Sequence, residues 1–212
     1  MESKTSAFVY PGTNVLINKP GIRNQDELTR FENIVTTARN ARLYLQPIHG
    51  HFDLDHLRKI HKYLFQDVYP FAGRIRTDNI AKGTFSFASC QYIEPSAKDL
   101  FKHLKNENYL VSTDCHTFSE RAAHYMAEVN VLHPFREGNG RTQREFIRCL
   151  ALNAGYELNW DHVPPKVAFQ ASVQSVVDTG PLKDVILNAL INRIPEKKFT
   201  QLFHEQASDR ER

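Results

Sequence analysis

Between Leu132 and Phe146 the chain reads LHPFREGNGRTQREF. A histidine, two carboxylates, two glycines, an asparagine and three arginines crowd into this stretch, and each type has a chemical use. The imidazole of His133 takes a proton from a hydroxyl near neutral pH. Gly138 and Gly140 permit close backbone approach and positive φ, and with Asn139 they can form a nest of N–H groups at a helix start, where the dipole favours an anion such as phosphate. Arg141 and Arg144 add charged forks that suit further phosphates. Glu137 would repel phosphate unless a Mg²⁺ ion sits between them; one carboxylate with nucleotide phosphates and waters is an ordinary shell for that ion. Base, metal carboxylate, nest and arginine clamp together describe transfer of a phosphorus group to a hydroxyl.

Two helices must hold this loop. FSERAAHYMAEVNVL is amphipathic and should stop at His133, because Pro134 disfavours helical geometry in the residue before it. The second helix, NGRTQREFIRCLALNAG, buries Phe146, Ile147, Leu150, Ala151 and Ala154 at helical spacing, with Gly155 as its C-terminal cap. At about 100° per residue, Arg141, Arg144 and Arg148 fall within an arc of about 60° on the opposite side, which predicts an open, solvated arginine face.

The remaining chain supplies more helices. Residues 1–23 hold YPGTN and NKPGI and read as a loop-rich N-terminal arm laid on the domain. Leu28, Phe31, Ile34, Val35, Ala38 and Leu45 share one face of a first helix, and Leu54, Leu57, Ile60, Leu64 and Phe65 that of a second, capped by Asp53. SAKDLFKHLKNEN and two segments opened by Pro164 and Pro181 are helical as well. Between residues 73 and 93, alternation of Ile75, Thr77 and Asn79, then Phe85, Phe87 and Ser89, predicts a hairpin turning at AKGT, with Gly83 at positive φ. The expected fold class is all-α with one small β-hairpin. Residues 195–212 are expected to be a polar tail, either a linker or a frayed helix.

Composition narrows the functional classes. Hydrophobic residues make up 41% of the 212, enough for a core, and 27 basic against 24 acidic side chains leave a net charge of only +3. No Lys/Arg block marks a DNA-binding surface, and no apolar run reaches the length of a membrane span. The first thirty residues lack a secretory apolar core. Cys90, Cys115 and Cys149 are odd in number and widely spaced, which predicts reduced thiols. His49, His51, His56 and His61 fit no zinc spacing and read as surface histidines.

HPFREGNGRTQR resembles the signature of the Fic family, H-P-F-x-[D/E]-G-N-G-R-x-x-R, at every fixed position. IHKYLFQDVYPFAGRIRTDNIAKG, NAGYELNW and DTGPLKDVI are similar to flanking segments of that family, so the likeness runs over about residues 10–190 within an expected domain at 24–194. The resemblance implies transfer of AMP from ATP, with Mg²⁺, to a Tyr, Thr or Ser hydroxyl of a target protein, releasing pyrophosphate. By position it makes His133 the general base, Glu137 the Mg²⁺ ligand, and Gly138, Asn139, Gly140 and Arg141 phosphate ligands, with Asn139 and Arg141 also using side chains. Arg144 matches the arginine of the terminal phosphate. The hairpin matches the family's flap, on which a target segment docks as an added strand, and names Asn79, Ile80, Lys82, Thr84 and Phe85 as docking residues. Tyr92 is a weaker candidate for the adenine pocket.

Glycine at 140, where one branch of the family has lysine, favours AMP transfer over phosphoryl transfer. No glutamate in the chain has Ser or Thr four residues before it, so the family's inhibitory [S/T]-x-x-x-E-[G/N] helix is not found. This resembles the subclass held by a separate small antitoxin protein that supplies the glutamate, and the Fic domains of translocated effectors. The expected place of action is the bacterial cytoplasm or that of a host cell. The alternatives are a Fic-fold transferase with another nucleotide or phosphodiester donor, or a non-catalytic module that binds through its flap.

Overall fold

A computed structural model describes residues 7–208 of the chain, with side chains through His204. Helix α1 (Gln25–Leu45) begins where the Asn24 side chain accepts from the N–H groups of Asp26 and Glu27. Helix α2 (Leu54–Phe65) is capped by Asp53, as expected, through His56 N–H at 2.8 Å. After the strands β1 (Ala81–Lys82) and β2 (Phe85–Ser86) come α3 (Ile93–Asn106), α4 (Cys115–Leu132) and α5 (Asn139–Asn153), then α6 (Pro165–Gln174), α7 (Gly180–Ala189) and α8 (Lys197–Ser208). The fold is all-α with one two-stranded antiparallel hairpin. Among the described residues, no helix is long and apolar enough to cross a membrane. Cys90, Cys115 and Cys149 are free thiols.

Helix α5 is the axis of the domain, with α2, α4 and α8 packed against it. All of its residues are buried except Gly140, Arg141 and Arg144. It ends in a Schellman cap: Gly155, at φ +89°, donates to Leu152 O, and Tyr156 N–H reaches Ala151 O at 2.8 Å. Full burial overturns the expectation of a solvated Arg148. Its guanidinium holds Glu145 at 2.7 and 2.8 Å, donates to Leu43 O at 2.5 Å, and lies 4.7 Å over the Tyr44 ring. Leu43 and Tyr44 of α1 cover a helix face that spacing alone leaves open.

Other sequence expectations are corrected in the same way. In α1, Ile34 and Leu45 face solvent, while Leu28, Glu32, Thr36 and Leu43 face inward, because Glu32 and Thr36 have partners on α5. His56 and His61 are core residues, not surface ones: His56 Nε2 meets Ile48 O at 2.7 Å, and His61 lies beneath the loop before α5. The polar tail folds into α8 and buries Phe199 and Phe203, the latter stacked on Phe52, so residues 197–204 belong to the domain; residues 209–212 lie outside the described chain.

The hairpin is shorter than its alternation suggested. The strand register is Ala81↔Ser86 and Lys82↔Phe85, with Gly83 at φ +60° in the turn. One more bond crosses the hairpin, from Phe87 N–H to Ile80 O at 3.2 Å; farther from the turn the backbone bonds to the end of α4 and the loop after it, with Ala88 N–H donating to Val131 O at 3.0 Å and Arg76 N–H to Pro134 O at 2.9 Å. Residues 7–23 lie against the helices, with Val15 and Leu16 buried and Lys19 N–H bonded to Val68 O.

Candidate active site

Helix α4 stops at His133, which caps it in the left-handed region at φ 46°, ψ 60°. That conformation is costly for a non-glycine residue and turns the ring out of the helix line. Nδ1 lies 3.1 Å from Asn130 O. A carbonyl only accepts, so Nδ1 carries the proton and Nε2 keeps its lone pair. Phe87 of the hairpin stacks on the ring at 3.8 Å. Burial pushes the imidazole pKa down to about 4, and the charges of Arg76 and Lys82 push the same way against the Asn130 bond. The ring is therefore a neutral base throughout the physiological range.

The loop from Pro134 to Gly138 is braced from inside. Asn139 accepts from Phe135 N–H at 2.9 Å and donates to Phe135 O at 2.8 Å, so its amide is engaged in closing the loop. One of its two amide N–H donors is used there, and Asn139 also lines the cavity at the helix start. His61 lies 3.9 Å from Phe135, ring on ring. Gly73 N–H donates to its Nδ1 at 2.7 Å, which leaves Nε2–H to bond Glu137 O at 2.9 Å. Burial holds His61 down to about 4 as well. Gly138 sits at φ +79° directly against the Phe65 ring.

One cavity of about 820 Å³ gathers His133, Glu137, Gly138, Asn139, Gly140 and Arg144, together with Ile80, Lys82 and Phe85 of the hairpin. Arg144 makes no ion pair among the described residues, and burial with the neighbouring Arg141 charge lowers its pKa. A partly buried guanidinium without a carboxylate is a seat for an anion. Glu137, whose Oε1 accepts Gly138 N–H at 2.9 Å, is 43% exposed at its side chain. Arg141 does not line the cavity. It pairs with Glu32, donates to Thr36 Oγ1 at 3.1 Å, lies 4.7 Å over the Phe65 ring, and has Glu137 at 3.7 Å.

The opposite wall is apolar: Met126, Phe169, Val173, Val176 and Leu182 offer a surface for a flat base. Lys82 reaches across to within 4.7 Å of the Phe169 ring, so the hairpin bends over the opening toward α6. Asn79 and Thr84 are not in the lining. The Asn79 carboxamide accepts from Cys90 N–H at 2.8 Å and clamps the hairpin base, and Thr84 is exposed at the turn. Tyr92 is 58% exposed and outside the cavity, which removes it from the base pocket. The residues that sequence reasoning missed are Arg76, His61 and Glu32. Their partners lie 57, 76 and 109 positions away, and no local spacing signals them.

The model of the Fic/DOC family matches residues 51–151. Protein adenylyltransferase VbhT of Bartonella schoenbuchensis is 43% identical over 91% of this chain, which spans 39% of that protein's length. Probable protein adenylyltransferase Fic of Escherichia coli K12 is 35% identical, over 90% of this chain and 94% of its own. Among solved structures, the N-terminal Fic domain of a Bep effector from Bartonella quintana with bound ADP superposes with a TM-score of 0.81 at 27% identity, covering 91% of this chain and 96% of that one. BepC of Bartonella tribocorum with bound AMPPNP gives 0.79 at 25% identity, covering 88% and 97%.

Proposed function

The chain belongs to the Fic/DOC family, and from that premise we propose that it transfers AMP from ATP to a hydroxyl side chain of a target protein. The observation that carries this reading is a neutral His133, with Nε2 unprotonated, in the same cavity as the α5 N-terminus and an Arg144 that has no ion pair among the described residues. The relatives' names and the ADP and AMPPNP bound in the similar domains support a nucleotide there.

In this reading the adenine lies on the Met126–Phe169 wall and the phosphates on the Gly138–Gly140 backbone and Arg144. The target hydroxyl gives its proton to His133 Nε2, its oxygen bonds the α-phosphorus, and the bond to the β-phosphate oxygen breaks, so that pyrophosphate leaves. Among the described residues no three metal-ligating side chains meet, so the chain alone offers Mg²⁺ only Glu137. That donor fits an ion whose other ligands are phosphates and waters, and such an ion would neutralise charge on the leaving group. The target presents an extended segment to the hairpin edge, near Ile80, Lys82 and Phe85. A separate antitoxin supplies the inhibitory glutamate toward Arg144, and the protein acts in a bacterial cytoplasm or, after translocation, in a host's.

Incubation with ATP labelled at the α-phosphate and with bacterial and animal lysates tests the reading. Labelled protein bands carrying the mass of one AMP are expected, and none with His133→Ala. Full labelling by that variant ends the assignment; a different added mass would identify another donor, and labelling by no variant at all would favour a binding module.

A further inference from the structure

Arg76 is 1% exposed, and among the described residues its guanidinium hydrogen-bonds to carbonyl oxygens alone. Nε donates to His133 O at 2.8 Å, and one terminal nitrogen to Asp78 O at 2.6 Å. The other donates to Ala88 O at 2.5 Å and to Leu132 O at 3.2 Å. Asp78 and Ala88 stand at the two ends of the hairpin; Leu132 and His133 supply carbonyls left orphaned where α4 ends. A cation is favoured there by the helix dipole. The buried fork therefore does two things at once: it closes the hairpin base, and it holds the peptide whose left-handed twist aims the imidazole. Phe87, stacked on that imidazole, is part of the same hairpin.

We propose that Arg76 is a positioning residue: it fastens the hairpin to the end of α4, so that the docked target segment and the His133 ring keep one fixed separation. This rests on the reading of His133 as the base for AMP transfer. The charged groups around the ring are Arg76 at the hairpin base, Lys82 on the hairpin, and Arg136 and Glu137 on the loop. Lysine at 76 would keep the charge without reaching four carbonyls, whereas glutamine would lose the charge too.

Arg76→Lys and Arg76→Gln are compared with the wild-type chain by three measurements: transfer kinetics, ATP–Mg²⁺ affinity by titration, and proton NMR titration of His133, assigned by subtracting the His133→Ala spectrum from those of the ten histidines. Misplacing a base by about an ångström costs about a hundredfold. Both variants should lose about that much in kcat while nucleotide affinity stays within twofold. The His133 pKa should rise in the glutamine variant and stay low in the lysine one. Transfer within twofold of wild type in both variants overturns the proposal, as does a loss of nucleotide affinity and melting temperature in step with kcat. If the wild-type chain transfers no AMP, the functional reading fails, but the NMR titration still decides on Arg76: equal His133 values in all three proteins overturn it. Should neither variant fold, Phe87→Leu removes the ring stack alone; an isolated fall in kcat supports the coupling, and an unchanged kcat overturns it.

Discussion

Gly138 and Gly140 are two residues apart, one capping α5 and the other in its first turn, yet alanine should have opposite effects on them. At Gly138 a β-carbon would stand 2.2 Å from Cζ and 2.4 Å from Cε2 of Phe65. That ring cannot swing away: it is fully buried, with His61 on one flank at 4.8 Å and the Arg141 guanidinium over it. The positive φ adds about 1–2 kcal/mol for a residue with a β-carbon, and forced overpacking about 1–3 kcal/mol. Gly138→Ala should therefore lose about 2–5 kcal/mol. At about 2–4 °C per kcal/mol for a domain of this size, the melting temperature falls by roughly 4–20 °C. At Gly140 the nearest atom to an added β-carbon is Arg144 Nη1 at 3.6 Å, an ordinary contact, and φ is helical. Gly140→Ala should keep or gain up to about 1 kcal/mol by helix propensity. Its methyl would stand where phosphate approaches, so ATP affinity should drop about tenfold, a step of about 1.4 kcal/mol. Thermal melts by circular dichroism and calorimetric ATP titration measure both. Equal melting of Gly138→Ala and wild type, or equal damage from the two substitutions, would refute the close-packing argument.

Acid should weaken the fold and the activity at different points. His56 and His61 are held near 4 by burial, and an unfolded chain binds those protons near 6.5, so between these values the unfolded state takes up more protons and stability falls as pH falls, by a few kcal/mol in total, while above pH 7 it is flat; urea titrations from pH 8 to 4.5 check this. For kcat/KM the acidic limb set by His133 should lie near pH 4 to 5, not 6.5, provided the protein remains folded at each point. Glu145→Leu alone should cost about 3–5 kcal/mol by leaving Arg148 buried and unpaired, whereas Glu145→Leu with Arg148→Met should restore most of it; denaturant midpoints for the three proteins read the difference.

The sequence carried the signature loop, both helices beside it, the Gly155 cap and the presence of the hairpin, because each is encoded locally by spacing or by a residue with special backbone freedom. What it could not carry were contacts over long separations. Periodicity sorts residues around a helix but does not tell which faces another element will cover, so Arg148 read as solvated and Ile34 as buried. The aromatics of the tail were too sparse for a stripe, yet two of them, Phe199 and Phe203, reach a groove beside α5. For Asn139 and Arg141 the residue types were legible and the partners were not: one closes the loop on Phe135 and the other is neutralised by a carboxylate from α1.

That last pairing bears on where the smallest working piece of this protein can be cut. A fragment starting at residue 51 would retain the whole signature and the hairpin, yet forfeit Glu32 and Thr36. The orphaned Arg141 would then have Glu137, 3.7 Å away, as its remaining carboxylate, and would compete for the one acidic group the cavity offers a metal. Trimming to the motif-bearing stretch would thus disturb the proposed ion site from a distance, without altering a single residue that lines the cavity.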